Sequence, residues 1–249
     1  MTIEKVALVY GGRSPIALAL CRELANSGQT VHLVSRRRDQ EIIDLAEQNG
    51  CADVFDCNLE DTDASIQLAL KLDSTAGGLN CVAFVHRYRD PSPDPLRQYI
   101  VEVLTPYKIL EALAEQPRTT ECSVVITTSP AANKVVGDQD FFYHASKAAL
   151  TQLVRFGSVR FAARNIRVNG ISPGSFIIKS RARKYYLENP EKLKKIEDSI
   201  PSSRIGTPEE LATVISFLLG PESNFVRGQI LAVDGGLSVL TPDSLIKPE

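Results

Sequence analysis

The feature that most constrains the fold of this chain is the alternation of short apolar runs with longer stretches of helical periodicity. The first run, at residues 6–10, precedes the pair Gly11-Gly12, and a helical face begins at Ile16. Strands that are apolar throughout are typical of a parallel sheet covered on both faces. The pattern predicts an α/β fold, a doubly wound parallel sheet of seven strands with helices on both faces. The predicted strands lie at residues 6–10, 31–34, 54–55, 82–85, 124–127, 168–172 and 230–233.

Long helices are predicted near residues 95–115, 141–164 and 208–219. A chain of 249 residues can still form one α/β domain, so we expect residues 1–249 to be a single domain. Residues 175–203 are rich in charged side chains and contain no strand run, which predicts a helical lid before the last βα unit. A solvated amphipathic excursion is the alternative for this stretch. Residues 238–249 are expected to form a short tail.

Charge and cysteine usage narrow the classes of function. Lys+Arg 28 against Asp+Glu 30 gives a net charge of -2, which lacks the basic excess of nucleic-acid-binding proteins. The five cysteines contain no CxxC pair and are expected to be reduced thiols, which predicts a cytoplasmic location. Three scattered histidines offer no metal motif, so no metal site is expected. The apolar runs are too short for a membrane span, and no signal peptide is expected.

A glycine-rich turn follows the first predicted strand and reads Tyr-Gly-Gly-Arg-Ser-Pro-Ile from residue 10. Such a turn leaves backbone N–H groups at a helix N-terminus, where a pyrophosphate is favoured. The alternative is that Gly-Gly only gives the backbone freedom to turn. The loop residues expected to cradle the pyrophosphate are Gly11, Gly12, Arg13, Ser14 and Ile16.

The second predicted strand ends in Ser35-Arg36. An NAD site places Asp or Glu near this position to bind the ribose 2′-hydroxyl, whereas arginine accommodates a 2′-phosphate. Ser35 and Arg36 therefore predict NADP(H), and Arg13 in the glycine turn could close on the same phosphate.

Tyr143 and Lys147 are four residues apart at the start of a strongly patterned helix, so their side chains share a face. Tyrosine, with an ordinary pKa near ~10, is a poor acid or base at neutral pH, and a nearby cation favours its phenolate. Ser129 lies just past a predicted strand, at the sheet edge where ligands bind in such folds. Taken singly, each of these residues is also common on a surface or in a turn.

Four motifs, spread over nearly the whole chain, carry a family resemblance. They are Tyr143-x-x-x-Lys147, Ile166-Arg167-Val168-Asn169 leading to Pro173-Gly174, Arg204-x-Gly206-x-Pro208-Glu209-Glu210-x-Ala212, and Gly228-Gln229 through Asp234-Gly235-Gly236. The chain resembles the short-chain dehydrogenase/reductases, which have a Rossmann fold.

The resemblance implies a role for each matching position. Tyr143 would be the general acid/base, Lys147 would favour its phenolate and hold the nicotinamide ribose, and Ser129 would bind the substrate oxygen. Asn58 and Leu59 would lie beside the adenine, and Pro173-Gly174 beside the nicotinamide. The full expected cofactor set is Gly11, Gly12, Arg13, Ser14, Ile16, Ser35, Arg36, Asn58, Leu59, Phe84, Tyr143, Lys147, Pro173, Gly174 and Phe176.

The chain departs from the family pattern at several positions. Pro15 stands where a glycine is usual and removes one backbone donor from the phosphate loop. Residues 84–87, Phe-Val-His-Arg, replace Asn-Asn-Ala-Gly, and Ile178 replaces a threonine. Glu102 takes the place of the family's catalytic asparagine and is included among the catalytic residues. Because Pro106 has no N–H, we expect it to free the Glu102 carbonyl for a proton-relaying water.

These observations favour an NADPH-dependent carbonyl reductase. Reduction of a C=C bond, as in enoyl reductases, and a non-catalytic nucleotide-binding relative are the alternatives. Four arginines flank the expected mouth, which suggests an anionic or carrier-bound small-molecule substrate; ordinary surface arginines are the alternative. The four arginines are Arg87, Arg89, Arg181 and Arg183.

The two predicted helices at 95–114 and 141–164 each carry an apolar stripe, and relatives commonly pair these helices between subunits. The stripes predict a homo-oligomer, a tetramer in preference to a dimer.

Overall fold

A computed structural model describes residues 5–75, 78–90, 92–174, 185–186 and 188–241. Its seven strands form one sheet in the order β3-β2-β1-β4-β5-β6-β7, and every neighbouring pair is parallel. This confirms the predicted doubly wound fold. The strands are β1 Val6–Tyr10, β2 Thr30–Ser35, β3 Cys51–Asp56, β4 Leu79–Phe84, β5 Cys122–Thr127, β6 Ile166–Pro173 and β7 Ile230–Val233.

Helices cover both faces of the sheet, as the apolar strands require. One face packs against α3, α5 and α6 through Leu110, Leu150 and Val154, and the other against α1, α2 and α8 through Leu20 and Ile215. All five residues of β1 are buried, since this strand is central. The helices are α1 Pro15–Asn26, α2 Gln40–Gln48, α3 Thr62–Asp73, α4 Pro95–Tyr99, α5 Thr105–Glu115, α6 Phe141–Arg160, α7 Pro190–Asp198 and α8 Pro208–Leu219.

The long helix predicted near 95–115 is interrupted. A π-helical segment, Ile100–Leu104, separates α4 from α5, and the N–H of Thr105 donates to the carbonyl of Ile100, five residues back. Segments of this kind are rare and occur mostly at functional sites. The interruption turns the side chain of Glu102 into the protein, where it is 1% exposed.

The sheet reverses its strand order between β1 and β4. In doubly wound sheets, ligands bind in the crevice outside the carboxyl ends of the strands at this point. The carboxyl ends of β1, β2, β4 and β5 carry the glycine turn, Ser35, His86 and Ser129. The topology therefore gathers most of the predicted site residues along one edge.

The predicted lid and tail are only partly described. Of residues 175–203, the structure gives α7 within the charged stretch, while residues 175–184 and 187 lie outside the described residues. The tail is described to residue 241, after a 3-10 turn at Leu237–Val239. Within the described ranges, no helix combines the length and the apolar character needed to cross a lipid bilayer.

Candidate active site

An open cavity of about 700 Å³ lies at the carboxyl ends of the first four strands. It is lined by the glycine turn, by the end of β2 and by the loops after β3 and β4, which is where the strand order reverses. Predicted cofactor residues on its wall are Gly11, Gly12, Arg13, Ser35, Arg36, Asn58 and Leu59.

The two glycines of the turn are required by their surroundings. A Cβ atom on Gly11 would lie 2.5 Å from the Cβ of Ala17 and 2.8 Å from Cγ2 of Val85. Gly12 has φ +51°, in the left-handed region that favours glycine, and its amide donates to the Val34 carbonyl over 2.9 Å. The backbone can thus run close along the cavity wall, with the N-terminus of α1 opening beside it.

Ser14 and Pro15 shape the start of α1. Ser14 is the N-cap residue, but its side chain makes no capping hydrogen bond, and Pro15 occupies the first helical turn. The amide of Ser14 donates to the Gly11 carbonyl over 3.1 Å. Ile16 follows in the first turn, 5% exposed. Because Pro15 has no N–H, an anion at this N-terminus would be held by the remaining amides of the turn.

Arg36 and Arg13 have different surroundings. Arg36 is exposed on the cavity wall beside Ser35 and, within the described residues, has no ion-pair partner. The guanidinium of Arg13 instead pairs with Asp39 and Glu41. Arg36 is therefore free to contact an anion in the cavity, whereas Arg13 is already paired with two carboxylates.

The ring of Phe84 lies in the core. It stacks on Tyr10 with 5.0 Å between ring centroids, is 2% exposed and does not line the cavity. His86, two residues further, lines the cavity. Among the described residues, neither the buried Nδ1 of His86 nor the buried Tyr10 hydroxyl has a hydrogen-bond partner. The floor of the cavity therefore carries two polar groups available to a ligand.

Ser129 and Tyr143 come together as the resemblance implied. The Tyr143 hydroxyl lies 3.3 Å from Oγ of Ser129, within hydrogen-bonding distance. Asp140 caps α6 by accepting from the Tyr143 amide over 2.8 Å, which fixes the tyrosine in the first turn. Ser129 Oγ also accepts from the Ala131 amide over 3.2 Å, so local backbone holds the serine hydroxyl beside the tyrosine.

Lys147 lies one turn along α6. Its ammonium is 5.5 Å from the centroid of the Tyr143 ring and 3.0 Å from Oε2 of Glu102. The two charged side chains are 3% and 1% exposed, so the pair is fully inside the protein. The other Glu102 oxygen, Oε1, accepts from the Tyr88 amide over 2.9 Å. Glu102 thus reaches the site through its side chain.

Pro106 interrupts the helical hydrogen bonds next to Glu102. Thr105 donates to Ile100, and the next residue, Pro106, has no N–H, so the Val101 carbonyl is left without a helical donor. Nε2 of His86 lies 3.0 Å from this oxygen and donates to it, because a carbonyl only accepts. The π register places the Val101 carbonyl opposite Pro106, whereas the freed Glu102 carbonyl was predicted from α-helical spacing and stays a prediction.

Burial keeps the His86 imidazole neutral. Desolvation lowers the pKa of His86 to about 4, although the neighbouring carboxylate of Glu102 opposes the shift. With Nε2 donating to Val101, the lone pair of Nδ1 is the free acceptor.

Two arginines stand at the mouth beside Tyr143. The guanidinium carbon of Arg87 lies 4.2 Å from the centroid of the Tyr143 ring, and its Nη2 contacts Oε1 of Gln139. Arg89 is exposed overall, but part of its guanidinium is shielded from solvent. This desolvation, together with the neighbouring Arg87 charge, lowers the pKa of the guanidinium. In the part of the chain that the structure describes, neither arginine has a carboxylate partner.

The remaining predicted residues lie further along the same edge. Pro173 ends β6, and the Gly174 amide donates to the Val233 carbonyl over 2.9 Å. Phe176, Ile178, Arg181 and Arg183 lie outside the described residues. The described ranges contain no group of three His, Cys, Asp or Glu side chains able to hold a metal ion.

This geometry can transfer a proton to or from a polar substrate. A tyrosine hydroxyl lies within reach of a serine, with an ammonium nearby, at the edge of a cavity whose glycine turn and helix N-terminus suit a phosphate group. The sequence did not indicate that Tyr10 would line this cavity, whereas His86 lies within residues 84–87, where the chain departs from the family pattern.

The chain is similar to known proteins over nearly its whole length. Residues 11–238 match a family model described as Enoyl-(Acyl carrier protein) reductase. The human protein dehydrogenase/reductase SDR family member 2, mitochondrial, is 30% identical over 247 residues, which cover 93% of this chain and 86% of that protein.

Solved structures show the same architecture. The Pseudomonas aeruginosa RhlG/NADP active-site complex is 25% identical with a TM-score of 0.78, covering 95% of this chain and 97% of that one. NAD+-bound xylitol dehydrogenase is 26% identical with a TM-score of 0.81, covering 95% of this chain and 100% of that one. Both kinds of nicotinamide dinucleotide are therefore found among similar structures.

Proposed function

Because this chain belongs to the short-chain dehydrogenase/reductase family, we propose that it is an NADPH-dependent oxidoreductase that reduces a carbonyl group of a small organic substrate, reversibly with the alcohol. The observation that carries this proposal is the Tyr143 hydroxyl 3.3 Å from Ser129 Oγ, with the Lys147 ammonium beside the tyrosine ring. A dehydrogenase-type reaction fits this arrangement because proton transfer to a polar oxygen is what a serine and tyrosine pair supports.

The residues present fit a dinucleotide. Gly11 and Gly12 leave space along the wall that a side chain would fill, and the unpartnered Tyr10 hydroxyl and His86 Nδ1 offer a donor and an acceptor on the cavity floor. The first turn of α1 would hold the pyrophosphate, and Lys147 would hold the ribose next to the nicotinamide.

When bound, the reduced nicotinamide supplies the hydride. Ser129 donates a hydrogen bond to the substrate oxygen and orients the carbonyl toward Tyr143. Tyr143 then gives its hydroxyl proton to that oxygen as the carbonyl becomes an alcohol, which leaves a phenolate. Lys147 and the cations at the mouth stabilise the negative charge that remains on the tyrosine.

Preference for NADPH rests on Ser35 and Arg36. The end of β2 carries no carboxylate to bind a ribose 2′-hydroxyl, and Arg36 is exposed on the cavity wall. An arginine contacts a phosphate through two parallel hydrogen bonds, whereas it gains little from a neutral hydroxyl.

We also propose that the substrate carries a negative charge of its own or on a carrier. Arg87 and Arg89 stand at the mouth without carboxylate partners in the described ranges. Arginine pairs left without acids beside a reactive group are suited to a carboxylate or phosphate. A KM that rises for anionic substrates and not for neutral ones in Arg89→Gln would support this assignment.

Assembly and location are further parts of the proposal. Phe156 and Val159 on α6 are 46% and 81% exposed, which supports a homo-oligomer, most simply a tetramer, that buries this helix. All five cysteines are free thiols, four of them buried, which suits the reducing cytoplasm.

The test is direct. Purified protein is mixed with NADPH and a panel of ketones, aldehydes and enoyl thioesters, and the absorbance of NADPH is followed. We expect consumption with carbonyl substrates that disappears in Tyr143→Phe. Consumption with enoyl thioesters alone would assign C=C reduction instead. Binding of NADPH without turnover across the panel would favour the non-catalytic alternative.

A further inference from the structure

Glu102 is close enough to Lys147 to neutralise it electrostatically. Their charged atoms are 3.0 Å apart, both side chains are buried, and the second carboxylate oxygen is fixed by the Tyr88 amide. The Lys147 ammonium lies 5.5 Å from the centroid of the Tyr143 ring. Because the Glu102–Lys147 pair has no net charge, its electrostatic field at the ring is weaker than that of a lone cation. Lys147 alone therefore exerts less influence on Tyr143 than an unpaired lysine would.

Arg87 is the nearer cation. Its guanidinium carbon lies 4.2 Å from the ring centroid, over the ring face, and within the described residues its hydrogen-bond partner is the amide oxygen of Gln139. A neutral amide leaves the arginine charge uncompensated. A cation over an aromatic ring is attracted to it, and more strongly when the ring belongs to a phenolate.

The other titratable groups around Tyr143 do not replace this charge. His144, on the same helix, accepts from the Val136 amide at Nε2 and donates from Nδ1 to the Asp140 carbonyl, so its imidazole is neutral as placed. Burial lowers the pKa of His86 to about 4, which keeps that ring neutral as well. Among the described residues, the charged groups that face Tyr143 are then Lys147 on α6, Glu102 on the π-helical segment, Arg87 and Arg89 on the loop after β4, and Asp140, whose carboxylate caps α6 at the Tyr143 amide.

We propose that Glu102 balances the charge of Lys147 and that Arg87 is a positioning residue which favours the phenolate form of Tyr143. This inference rests on the proposed function for its meaning in catalysis. In carbonyl reduction the Tyr143 O–H bond breaks and the proton passes to the substrate oxygen, so a cation that stabilises the phenolate makes the tyrosine a better acid. Lys147 remains available to hold the ribose.

The ionisation of Tyr143 can be measured without substrate or cofactor. The ultraviolet absorbance of tyrosinate is titrated with pH in each variant and in the same variant carrying Tyr143→Phe, and the difference isolates Tyr143. We expect Arg87→Gln to move the midpoint up by roughly 0.5 to 1 pH unit, and Glu102→Gln to move it down. Arg87→Lys should keep the native midpoint, and Glu209→Gln, which removes an exposed partner of Arg22, should leave it unchanged.

The second readout is the pH dependence of kcat for alcohol oxidation, which requires the phenolate. The same variants should displace that profile in the same directions. An unchanged titration midpoint in Arg87→Gln would overturn the proposal, and so would a midpoint in Glu102→Gln that stays or rises. If Glu102→Gln does not fold, the exposed Arg87→Gln and Arg87→Lys pair decides alone. Displaced midpoints in a protein that oxidises no alcohol would uphold the electrostatic inference and reject the proposed function.

Discussion

His86 donates a hydrogen bond from Nε2 to the backbone carbonyl of Val101 over 3.0 Å, at the one turn of the helix where Pro106 supplies no N–H. The contact joins the loop after β4 to the interrupted helix and fixes the tautomer of the imidazole. The contact has a measurable consequence for stability, because a proton added to His86 would place a positive charge in a desolvated site.

The first prediction concerns pH and stability. The pKa of His86 is about 4 in the folded protein and near 6.5 in an unfolded chain. Between these values the unfolded chain binds a proton that the folded protein does not, so the free energy of unfolding falls as pH falls from about 6.5 toward 4. The loss is at most about 1.4 kcal/mol per pH unit. Urea denaturation at several pH values should show a shallower slope in His86→Gln; equal slopes would contradict it.

The second prediction concerns Tyr143. Tyr143→Phe removes the proton donor and keeps the ring, so NADPH binding should persist while kcat falls by ~100-fold or more. Fluorescence titration of NADPH and steady-state kinetics measure the two effects. The matched control is Tyr99→Phe, at a side chain 47% exposed, which should leave kcat unchanged. A Tyr143→Phe variant with native kcat would place the acid elsewhere.

The third prediction concerns cofactor choice. Arg36→Asp replaces the unpaired cation on the cavity wall with a carboxylate, so NADPH should bind ~10- to 150-fold more weakly and NADH should become preferred. Dissociation constants for both cofactors are compared by calorimetry. Arg164→Asp makes the same charge change in the 3-10 turn before β6 and should alter neither constant. Equal constants for NADPH and NADH in the native protein would reject the assignment.

The fourth prediction concerns the glycine turn. In Gly11→Ala the new methyl group meets Ala17 and Val85 at less than 3 Å, so the turn must shift. We expect a loss of about 1 to 3 kcal/mol in the free energy of unfolding together with weaker NADPH binding. Gly137→Ala, where nothing lies within 4 Å, serves as the control and should change neither quantity. A Gly11→Ala variant with native stability and native NADPH affinity would show that the turn can accommodate a methyl group.

The fifth prediction concerns assembly. Phe156→Glu with Val159→Glu places two charges on the exposed face of α6 and should give a monomer by light scattering at micromolar concentration, while the native chain gives a tetramer. Phe225→Glu, at a fully exposed phenylalanine that is not part of α6, should leave the native mass unchanged. A monomeric native protein would exclude the proposed oligomer.

Most strands could be predicted from the sequence because they are apolar runs between glycine or polar residues, and β1 and β7 have the predicted bounds. Only residues 54–55 of β3 were predicted, because Asp53 and Asp56 interrupt its apolar pattern. The role of Phe84 could not be predicted. Both faces of a parallel sheet are buried, so an apolar run does not show which side chains point toward a ligand. The structure places Phe84 against Tyr10 in the core and His86 on the cavity wall.

The part of the site formed by Tyr143 and Lys147 could be predicted, because residues one helical turn apart lie on the same face of a helix. The site was not predictable where distant elements meet. The approach of Glu102 to Lys147 depends on how α4 and α6 pack and on a change of helical register, and no local pattern carries that information. The proline signalled an irregularity in the helix but not which carbonyl it would release.

The π-helical segment at Ile100–Leu104 amounts to one extra residue accommodated within a single turn. Each residue of an α-helix advances about 100° around the axis, so removing one residue here would let an ordinary helix close and would rotate everything before it relative to α5 by that angle. Glu102 would then leave Lys147, and the Val101 carbonyl would turn away from His86. The segment therefore sets the rotation of α4 relative to α5 about the helix axis. Inserting or deleting a single residue in this stretch would disrupt the contacts of Glu102 and Val101 more than most substitutions would.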